Sequence, residues 1–259
     1  MEKMIWAGQG PVEIGIYDRV NGRAAMAYLT KLREVGCSTR TLTMSLTQEK
    51  KPIKETCSGN KLTLATIPGA KTMNVSLELV EFNGPMFAAA LFSQLAENDD
   101  GTVTAEQFAT LSVGDTFFLK HPNASSIVLE DSTATPVTLI EGTHYEILSA
   151  AHGTARLLSV AGIAQPIFAD YAYGAYESMA AFSQPSTVER GMVFSGINHD
   201  GRKARLIVPR LDLAMDGDFS WIQDEEASLT FSGEALYVPE LAGDPLYGSF
   251  ARVDWLAAP

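Results

Sequence analysis

The clearest pattern along the chain is an alternation of apolar and polar side chains within residues 71–82, KTMNVSLELVEF. Because successive side chains of a β-strand point to opposite faces, this alternation predicts a strand with one face in a core. The apolar positions are Met73, Val75, Leu77 and Leu79, and the polar positions are Thr72, Asn74, Ser76 and Glu78. The alternation alone leaves open whether the polar face contacts bulk water, a ligand or another molecule.

A second segment, residues 226–238 with the sequence EASLTFSGEALYV, repeats this pattern. Its polar positions are Ser228, Thr230, Ser232 and Glu234. Both segments therefore place three small polar residues and then a glutamate on one face. Residues 40–47, RTLTMSLT, alternate in the same way, with Thr41, Thr43 and Ser45 on the polar side. The sequence thus predicts three strands of similar two-faced character.

The segments between these strands have different compositions. Residues 48–61, QEKKPIKETCSGNK, are charged and contain Pro52 and Gly59, so they predict a long exposed loop or arm. Residues 86–98, MFAAALFSQLAEN, are rich in alanine and leucine and predict the one clear helix. Many short strand-like segments follow. Residues 144–160 predict two strands joined by a turn at Gly153, and residues 188–213 predict another pair joined at residues 198–201. The second strand of the latter pair contains Pro209, which predicts an edge strand or a local irregularity. Together these elements predict a mainly β protein, either a sandwich or an open, rolled sheet, with one flanking α-helix.

The charge of the 259-residue chain is −12 and is unevenly distributed: +3 over residues 1–83, −10 over residues 84–189 and −5 over residues 190–259. Binding to phosphates requires clustered lysine and arginine, so this balance argues against a protein that grips nucleic acid. An acidic surface would instead repel it. The lysines of the arm are better suited to an acidic neighbour. Residues 212–226 are dense in acids but lack a calcium-loop register, and we interpret them as an acidic surface turn.

No motif predicts an enzyme. GxSxG, HExxH, CxxC and GxxxxGK[ST] are all missing from the sequence, so we predict no catalytic, cofactor or metal site. No apolar run approaches the ~18 residues of a membrane span, and residues 1–15 lack the features of a signal peptide. These observations predict a protein made and kept in a cytosol. Because the chain has two cysteines, a disulfide between Cys37 and Cys57 is possible, but reduced thiols are expected in a cytosol.

The order and spacing of these segments resemble the major tail tube proteins of long-tailed bacteriophages. The similarity covers nearly the whole chain and is carried by several segments rather than by one diagnostic motif. The matching segments are AGQGPVEIGIYDRVNG at residues 7–22, the strand–arm–strand run at 42–83, EGTHYEILSAAHGTARLLS at 141–159, residues 188–237 and YGSFARV at 247–253. Residues 102–185 are the part in which similar proteins differ.

The resemblance implies a single tail-tube domain over residues 1–259, a β-sandwich with a flanking helix, in which residues 102–185 form a β-rich insertion. It further implies that six copies form a ring and that their inner strands join into one barrel. Stacked rings would form the tail tube of a virion, assembled in the host cytoplasm, through which the genome passes during ejection. The implied partners are other copies, tail proteins at the tube ends and passing DNA, with no membrane and no cofactor. The tube proteins of related secretion systems share this fold.

The resemblance also suggests roles for the two unusual features of the sequence. We expect the matched polar faces to line the channel: Thr72, Asn74, Ser76, Glu78, Ser228, Thr230, Ser232 and Glu234, joined by Thr41, Thr43 and Ser45. We expect the arm to contact the adjacent ring through Lys50, Lys51, Lys54 and Glu55.

A second class of function stays open beside the tube. The chain could be a glycan-binding or adhesin-like β module displayed on a virion or a cell surface. The feature that favours this alternative is the cluster of Tyr171, Tyr173 and Tyr176.

Overall fold

The computed structural model describes residues 5–18, 29–35, 39–184, 188–241, 244, 246 and 248–256. Of these residues, 52% are in strands and 4% are helical, which confirms the prediction of a mainly β protein. The chain divides into two compact units, Met1–Gln94 with Ala180–Pro259, and Leu95–Met179. Among the described residues, no helix combines the length and the apolar character that crossing a membrane requires.

Seventeen strands and one α-helix follow one another along the described chain. In order, they are β1 (Gly8–Gln9), β2 (Val12–Tyr17), β3 (Leu29–Glu34), β4 (Thr39–Lys54), β5 (Thr63–Leu79), α1 (Gly84–Ala90), β6 (Leu95–Asn98), β7 (Gly101–Gln107), β8 (Thr116–Phe118), β9 (Ala124–Glu130), β10 (Tyr145–Ser149), β11 (Thr154–Leu157), β12 (Phe168–Tyr173), β13 (Tyr176–Met179), β14 (Arg190–Asn198), β15 (Lys203–Met215), β16 (Leu229–Ala235) and β17 (Arg252–Trp255). A 3₁₀ turn covers Pro239–Leu241.

The first unit is built on one antiparallel sheet. Its strands follow the order β3-β2-β14-β15-β16-β5-β4, with β1 added to β14 and β17 added to β15. The pairing between β14 and β15 confirms the hairpin that the sequence predicts there. Their register shifts between Arg190 and Met192, opposite the segment that contains Pro209. The proline, which cannot donate to a ladder, therefore lies at the predicted local irregularity.

The core of the first unit depends on β5 and β16. Met73, Val75, Leu77 and Leu79 of β5 are at most 2% exposed, as their alternation predicts. Directly beside them, Leu229 pairs with Leu79 and Phe231 pairs with Leu77. The core also takes in side chains of β2, β14, β15 and α1. Burial of these apolar groups is the main term that stabilises the sheet.

The helix is shorter than the predicted one, and the expectation over residues 86–98 is wrong in its second half. α1 ends at Ala90, and Phe92 adopts a left-handed conformation with φ of 49°. Leu95–Asn98 instead form β6, which pairs with β13. The alanine-rich sequence favours a helix only weakly, and pairing with a distant strand overrides that preference. At its start, Asn83 caps the helix by accepting the backbone N–H of Met86 at 3.0 Å.

The arm is also different from the predicted loop over residues 48–61. β4 continues to Lys54 and β5 begins at Thr63, so most of the arm is a paired hairpin with a tip at residues 55–62. The charged residues and Pro52 suggested a loop because they have low strand propensity. They are tolerated because this part of the ribbon has no buried face.

The second unit contains three small antiparallel sheets, β10-β11-β8, β7-β12-β9 and β13-β6. It follows β5 and α1 in the chain and lies where the sequence suggested an insertion over residues 102–185. The β10–β11 pair is joined by a turn with Gly153 at φ of 65°, as the sequence predicts for this segment. Its own core contains Leu129, Leu157 and Ile167, each fully buried.

A buried carboxylate organises one loop of the second unit. Asp131 is 2% exposed, and its carboxylate accepts the backbone N–H groups of Val137 at 2.8 Å, Thr133 at 3.2 Å and Ala164 at 3.2 Å. The Thr133 hydroxyl donates to it at 2.7 Å. These bonds, the one from Val137 first, lower the pKa of Asp131 to about 2. The charged carboxylate therefore holds together the segments around residues 131–137 and 164.

Two adjacent residues of β5 should differ sharply in their contribution to stability. We expect Leu77→Ala to lower the free energy of unfolding by about 2–5 kcal/mol, because it leaves a cavity in the core. Ser76→Ala, one position along and on the polar face, should change it by no more than about 0.5 kcal/mol. Chemical denaturation of both variants measures the difference. Equal losses would show that the two faces are not distinguished in solution.

The second unit should lose stability at acid pH through Asp131. Because its folded pKa of about 2 lies below the ordinary 3.8, its contribution is complete above that value and is lost as the pH falls towards 2. Asp131→Asn should lower the midpoint of thermal unfolding by several degrees at neutral pH and flatten this acid dependence. Calorimetry of the full chain, with the exposed Asp99→Asn as the control, tests the effect. An unchanged acid profile in Asp131→Asn would contradict it.

Candidate functional site

The polar residues of three neighbouring strands form one continuous surface, which we call the polar face. In the β5–β16 ladder, Glu78 lies opposite Thr230, and Ser76 lies opposite Ser232. Directly opposed residues of an antiparallel pair point to the same side of the sheet. The ladder between β4 and β5 extends the surface in the same register. The polar face consists of Thr41, Thr43, Ser45, Thr47, Thr72, Asn74, Ser76, Glu78, Thr230, Ser232 and Glu234.

Ten of the eleven residues expected to line a channel are thus brought together. Ser228 is the exception, because it precedes the first residue of β16 and lies outside the ladder. The surface continues onto β15, where Asp212 pairs with Glu234 and Ala214 pairs with Ser232. The alternation in β15 could have indicated Asp212, whose neighbours Leu211 and Leu213 are both buried.

One residue of the site was not indicated by the sequence pattern. Arg40 precedes Leu42 by two positions, so simple alternation places it on the apolar side. The register of β4 shifts between Thr39 and Thr41, and this irregularity makes Arg40 an extra residue in the ladder. Its guanidinium lies 3.2 Å from the Glu78 carboxylate and 3.7 Å from that of Glu226.

The carboxylates of the polar face are therefore not equivalent. Glu78 is partly screened by Arg40 and accepts a hydrogen bond from the Thr41 hydroxyl at 3.4 Å. Glu234 and Asp212 are exposed and have no ion-pair partner in the part of the chain that the structure describes. Apart from Arg40, the surface presents hydroxyls, an amide and carboxylates. It is hydrated and carries a small negative charge.

Beyond the polar face, the hairpin continues as a ribbon with no core. We call residues 48–71 the hairpin arm; every residue in it is exposed except the half-buried Glu55. Isolated two-stranded ribbons are at best marginally stable in water. Several large apolar side chains are nevertheless exposed along the hairpin. They are Met44 and Leu46 at its base, and Ile53, Leu62, Leu64 and Ile67 in the arm. An assembly partner is the usual reason for such exposure.

Of the residues expected to contact an adjacent ring, Lys54 and Glu55 lie at the tip of the arm, whereas Lys50 and Lys51 lie in its paired part, opposite Pro68 and Ile67. Lys50 and Lys51 are exposed and form no ion pair with the described residues. Lys54 donates to the Thr63 hydroxyl across the hairpin at 2.9 Å. These lysines leave positive charge on the surface of the arm.

Glu55 has a role within the tip itself. Its carboxylate accepts the backbone N–H groups of Cys57 at 3.0 Å and Ser58 at 2.9 Å, and also the Ser58 hydroxyl. The hydrogen bond from the Ser58 side chain is the main cause that lowers the pKa of Glu55. Glu55 therefore shapes the turn, whatever else it contacts. The Cys57 thiol is free and exposed, while Cys37 lies outside the described residues.

The three tyrosines that favoured a glycan-binding module belong to the second unit. Tyr171 is buried, and its hydroxyl donates to Glu106 at 2.6 Å. Tyr173 stacks on His121 with ring centroids 4.0 Å apart, and the Tyr176 hydroxyl lies 2.9 Å from Nδ1 of the same histidine. The rings are thus engaged with one another in the packing of this unit.

Comparison with known families gives one result. Residues 5–254 match the family described as "Protein of unknown function UCP028589". Because the match covers nearly the whole chain, the protein belongs to this family. A search of curated proteins finds no match.

Proposed function

We propose that this chain is a structural protein of a phage tail tube, in which rings of six copies stack around a channel that conducts the genome. The observation that carries the proposal is the polar face together with the hairpin arm. One long strand, β5, contributes to both. The stoichiometry and the virion location come from the resemblance of the sequence to major tail tube proteins.

The chemistry of the polar face suits the wall of a channel for DNA. A wall rich in lysine would release the counterions of the phosphates and hold the duplex. Hydroxyl groups stay hydrated, and the carboxylates of Glu234 and Asp212 repel phosphates. This repulsion acts within a Debye length, about 8 Å at physiological salt. A channel lined by these groups would pass DNA without retaining it.

The ends of the large sheet support assembly with further copies. β3 and β4 are the terminal strands of its order, and neither has a second neighbour among the described residues. A 16-residue edge such as β4 is a template for uncontrolled pairing unless it is covered. Joining the sheets of neighbouring copies into a closed barrel would remove these edges. In the proposed ring, each copy would cover the edge of the next.

Electron microscopy of concentrated protein is the direct test of the tube. We expect rings or tubes, and a reconstruction with Glu78 and Glu234 on the wall of the channel. The proposal predicts this orientation because the polar face presents hydroxyls, an amide and carboxylates over three neighbouring strands. A reconstruction with both glutamates on the outer wall would exclude the channel role. Specific glycan binding by protein that never assembles would favour the adhesin-like alternative instead.

The hairpin arm should be required for elongation but not for folding. Removing residues 49–70 and joining Gln48 to Lys71 through Asn-Gly keeps the two strands connected by a short turn. Because the arm contributes no buried residue to the core, this variant should unfold at nearly the same temperature as the complete chain. It should fail to extend tubes in the microscope. Tubes of normal length from the shortened chain would contradict the role of the arm.

Lysines on the polar face should convert a non-adhesive channel into one that binds DNA. Ser76→Lys and Ser232→Lys lie opposite each other and add two positive charges per copy. Tubes of this variant should retain a labelled DNA fragment at about 50 mM salt and release most of it at about 200 mM. Tubes with Thr102→Lys and Thr104→Lys, which are exposed in the second unit, are the matched control. Equal retention of the DNA fragment by tubes of both variants would show that the polar face does not contact DNA.

A further inference from the structure

An exposed aromatic cluster lies at the end of β5, on the side of the first unit away from the arm. The rings of Phe82, Phe87, Phe219 and Trp221 contact one another, with centroids 5.1–5.7 Å apart. Three of these rings are half-buried, but Trp221 is 78% exposed and the next residue, Ile222, is 96% exposed. The half-buried rings thus support a tryptophan and an isoleucine that project into solvent.

These two residues belong to a strongly acidic loop. Residues 216–226, which we call the acidic loop, contain five acidic residues and no lysine or arginine. The loop connects β15 to β16 and begins with a bond from the backbone N–H of Asp216 to the carbonyl of Thr230. Glu226 contacts Arg40 of the same chain, whereas Asp224 and Glu225 are exposed and have no ion-pair partner among the described residues. The exposed apolar side chains of the acidic loop are surrounded by carboxylates, so a complementary partner would present apolar side chains surrounded by cations.

The hairpin arm has this complementary chemistry. It contains five lysines and two glutamates, a net charge of +3 in a chain that is otherwise acidic. Leu62 and Leu64 near its tip are 61% and 74% exposed, and Ile67 is also exposed. The arm therefore presents apolar side chains among lysines. The acidic loop presents apolar side chains among carboxylates.

The two surfaces lie at opposite ends of the same strand. The acidic loop leads into Leu229, which pairs with Leu79 at the last residue of β5, whereas the tip of the arm adjoins Thr63 at its first residue. With a rise of about 3.3 Å per residue, β5 separates them by roughly 50 Å. Both surfaces are exposed, so they do not contact each other within one chain. A contact between them would therefore join two copies.

We propose that the hairpin arm of one copy docks on the acidic loop of a second copy, with Trp221 and Ile222 packed against the exposed leucines of the arm. Because the two surfaces are different and lie at opposite ends, the contact is head-to-tail and can repeat along a stack. Lysines of the arm, Lys50 and Lys51 among them, pair with Asp224 and Glu225 at the rim. This inference rests on the proposed function, for which it names the surface that receives the arm.

Charge reversal tests the docking in the full chain. Lys50→Glu with Lys51→Glu should abolish tube growth, and so should Asp224→Lys with Glu225→Lys. A chain that carries all four substitutions should form tubes again, because the charges are exchanged but remain complementary. Asp99→Lys with Asp100→Lys, on exposed residues outside both surfaces, is the control with the same change in net charge as Asp224→Lys with Glu225→Lys. Its tubes should match those of the unmodified chain.

The apolar part of the contact is tested separately. Trp221→Ala with Ile222→Ala should shorten tubes or prevent them while leaving the thermal midpoint within a few degrees, since both side chains are exposed. Tubes of normal length from this variant and from the charge-reversed variants would overturn the docking. Failure of the unmodified chain to form rings or tubes would count instead against the proposed function.

Disulfide cross-linking tests the docking even if no tubes form. With Cys37→Ser and Cys57→Ser to remove both native thiols, Lys51→Cys and Glu225→Cys place one thiol on each surface. Oxidation of concentrated protein should give a ladder of dimers, trimers and longer chains on a non-reducing gel. The single variants Lys51→Cys and Glu225→Cys, each in the background without native cysteines, should give no ladder beyond the dimer. Absence of the ladder from the double variant would overturn the docking.

Discussion

The register of β5 against its two neighbours is the constraint on which the rest of the first unit depends. β5 pairs with β16 on one side and β4 on the other, and both ladders place directly opposed residues on matching faces. A slip of one residue in either ladder would turn Met73, Val75 and Leu77 towards the polar face. Their complete burial makes such a slip very unfavourable. The hydrophobic core therefore also determines the composition of the polar face.

The same strand connects the core with the surfaces that we assign to assembly. Only the second half of β5 is buried, from Met73 to Leu79, while the first half continues into solvent as one side of the hairpin arm. Its pairing with β4 runs from Leu79 to Thr63, with register shifts between Gln48 and Lys50 and between Ile53 and Lys54, so the arm is a continuation of the sheet. A paired hairpin loses less conformational entropy on docking than an unpaired loop would. This makes a paired hairpin better suited than a flexible segment to a repeated contact between copies.

In the assembly that we propose, charge would set the direction of the contacts. The arm is positive, whereas the acidic loop and the polar face are negative, and the polar face lies between the other two along β5. Opposite charges at the two ends favour head-to-tail contact, and like charges disfavour head-to-head and tail-to-tail contact. Because exposed charges are screened by salt, the proposed apolar contacts of Trp221 and Ile222 would supply the part of the affinity that persists at physiological ionic strength. In this proposal the charged contacts set the orientation of the copies, and the apolar contacts supply the affinity.

The sequence by itself determined the local facts: the mainly β class, the two faces of β5 and β16, the β14–β15 and β10–β11 hairpins and the charged character of the arm. These follow from side-chain period and turn chemistry, which are properties of neighbouring residues. Only the tertiary structure decided which strands are adjacent, and hence that Ser76 lies opposite Ser232. It also ended the helix at Ala90, extended β4 through Lys54 and brought Arg40 to Glu78. Each of these depends on pairing between distant segments, whose free energy exceeds the weak local preferences that a sequence pattern reports.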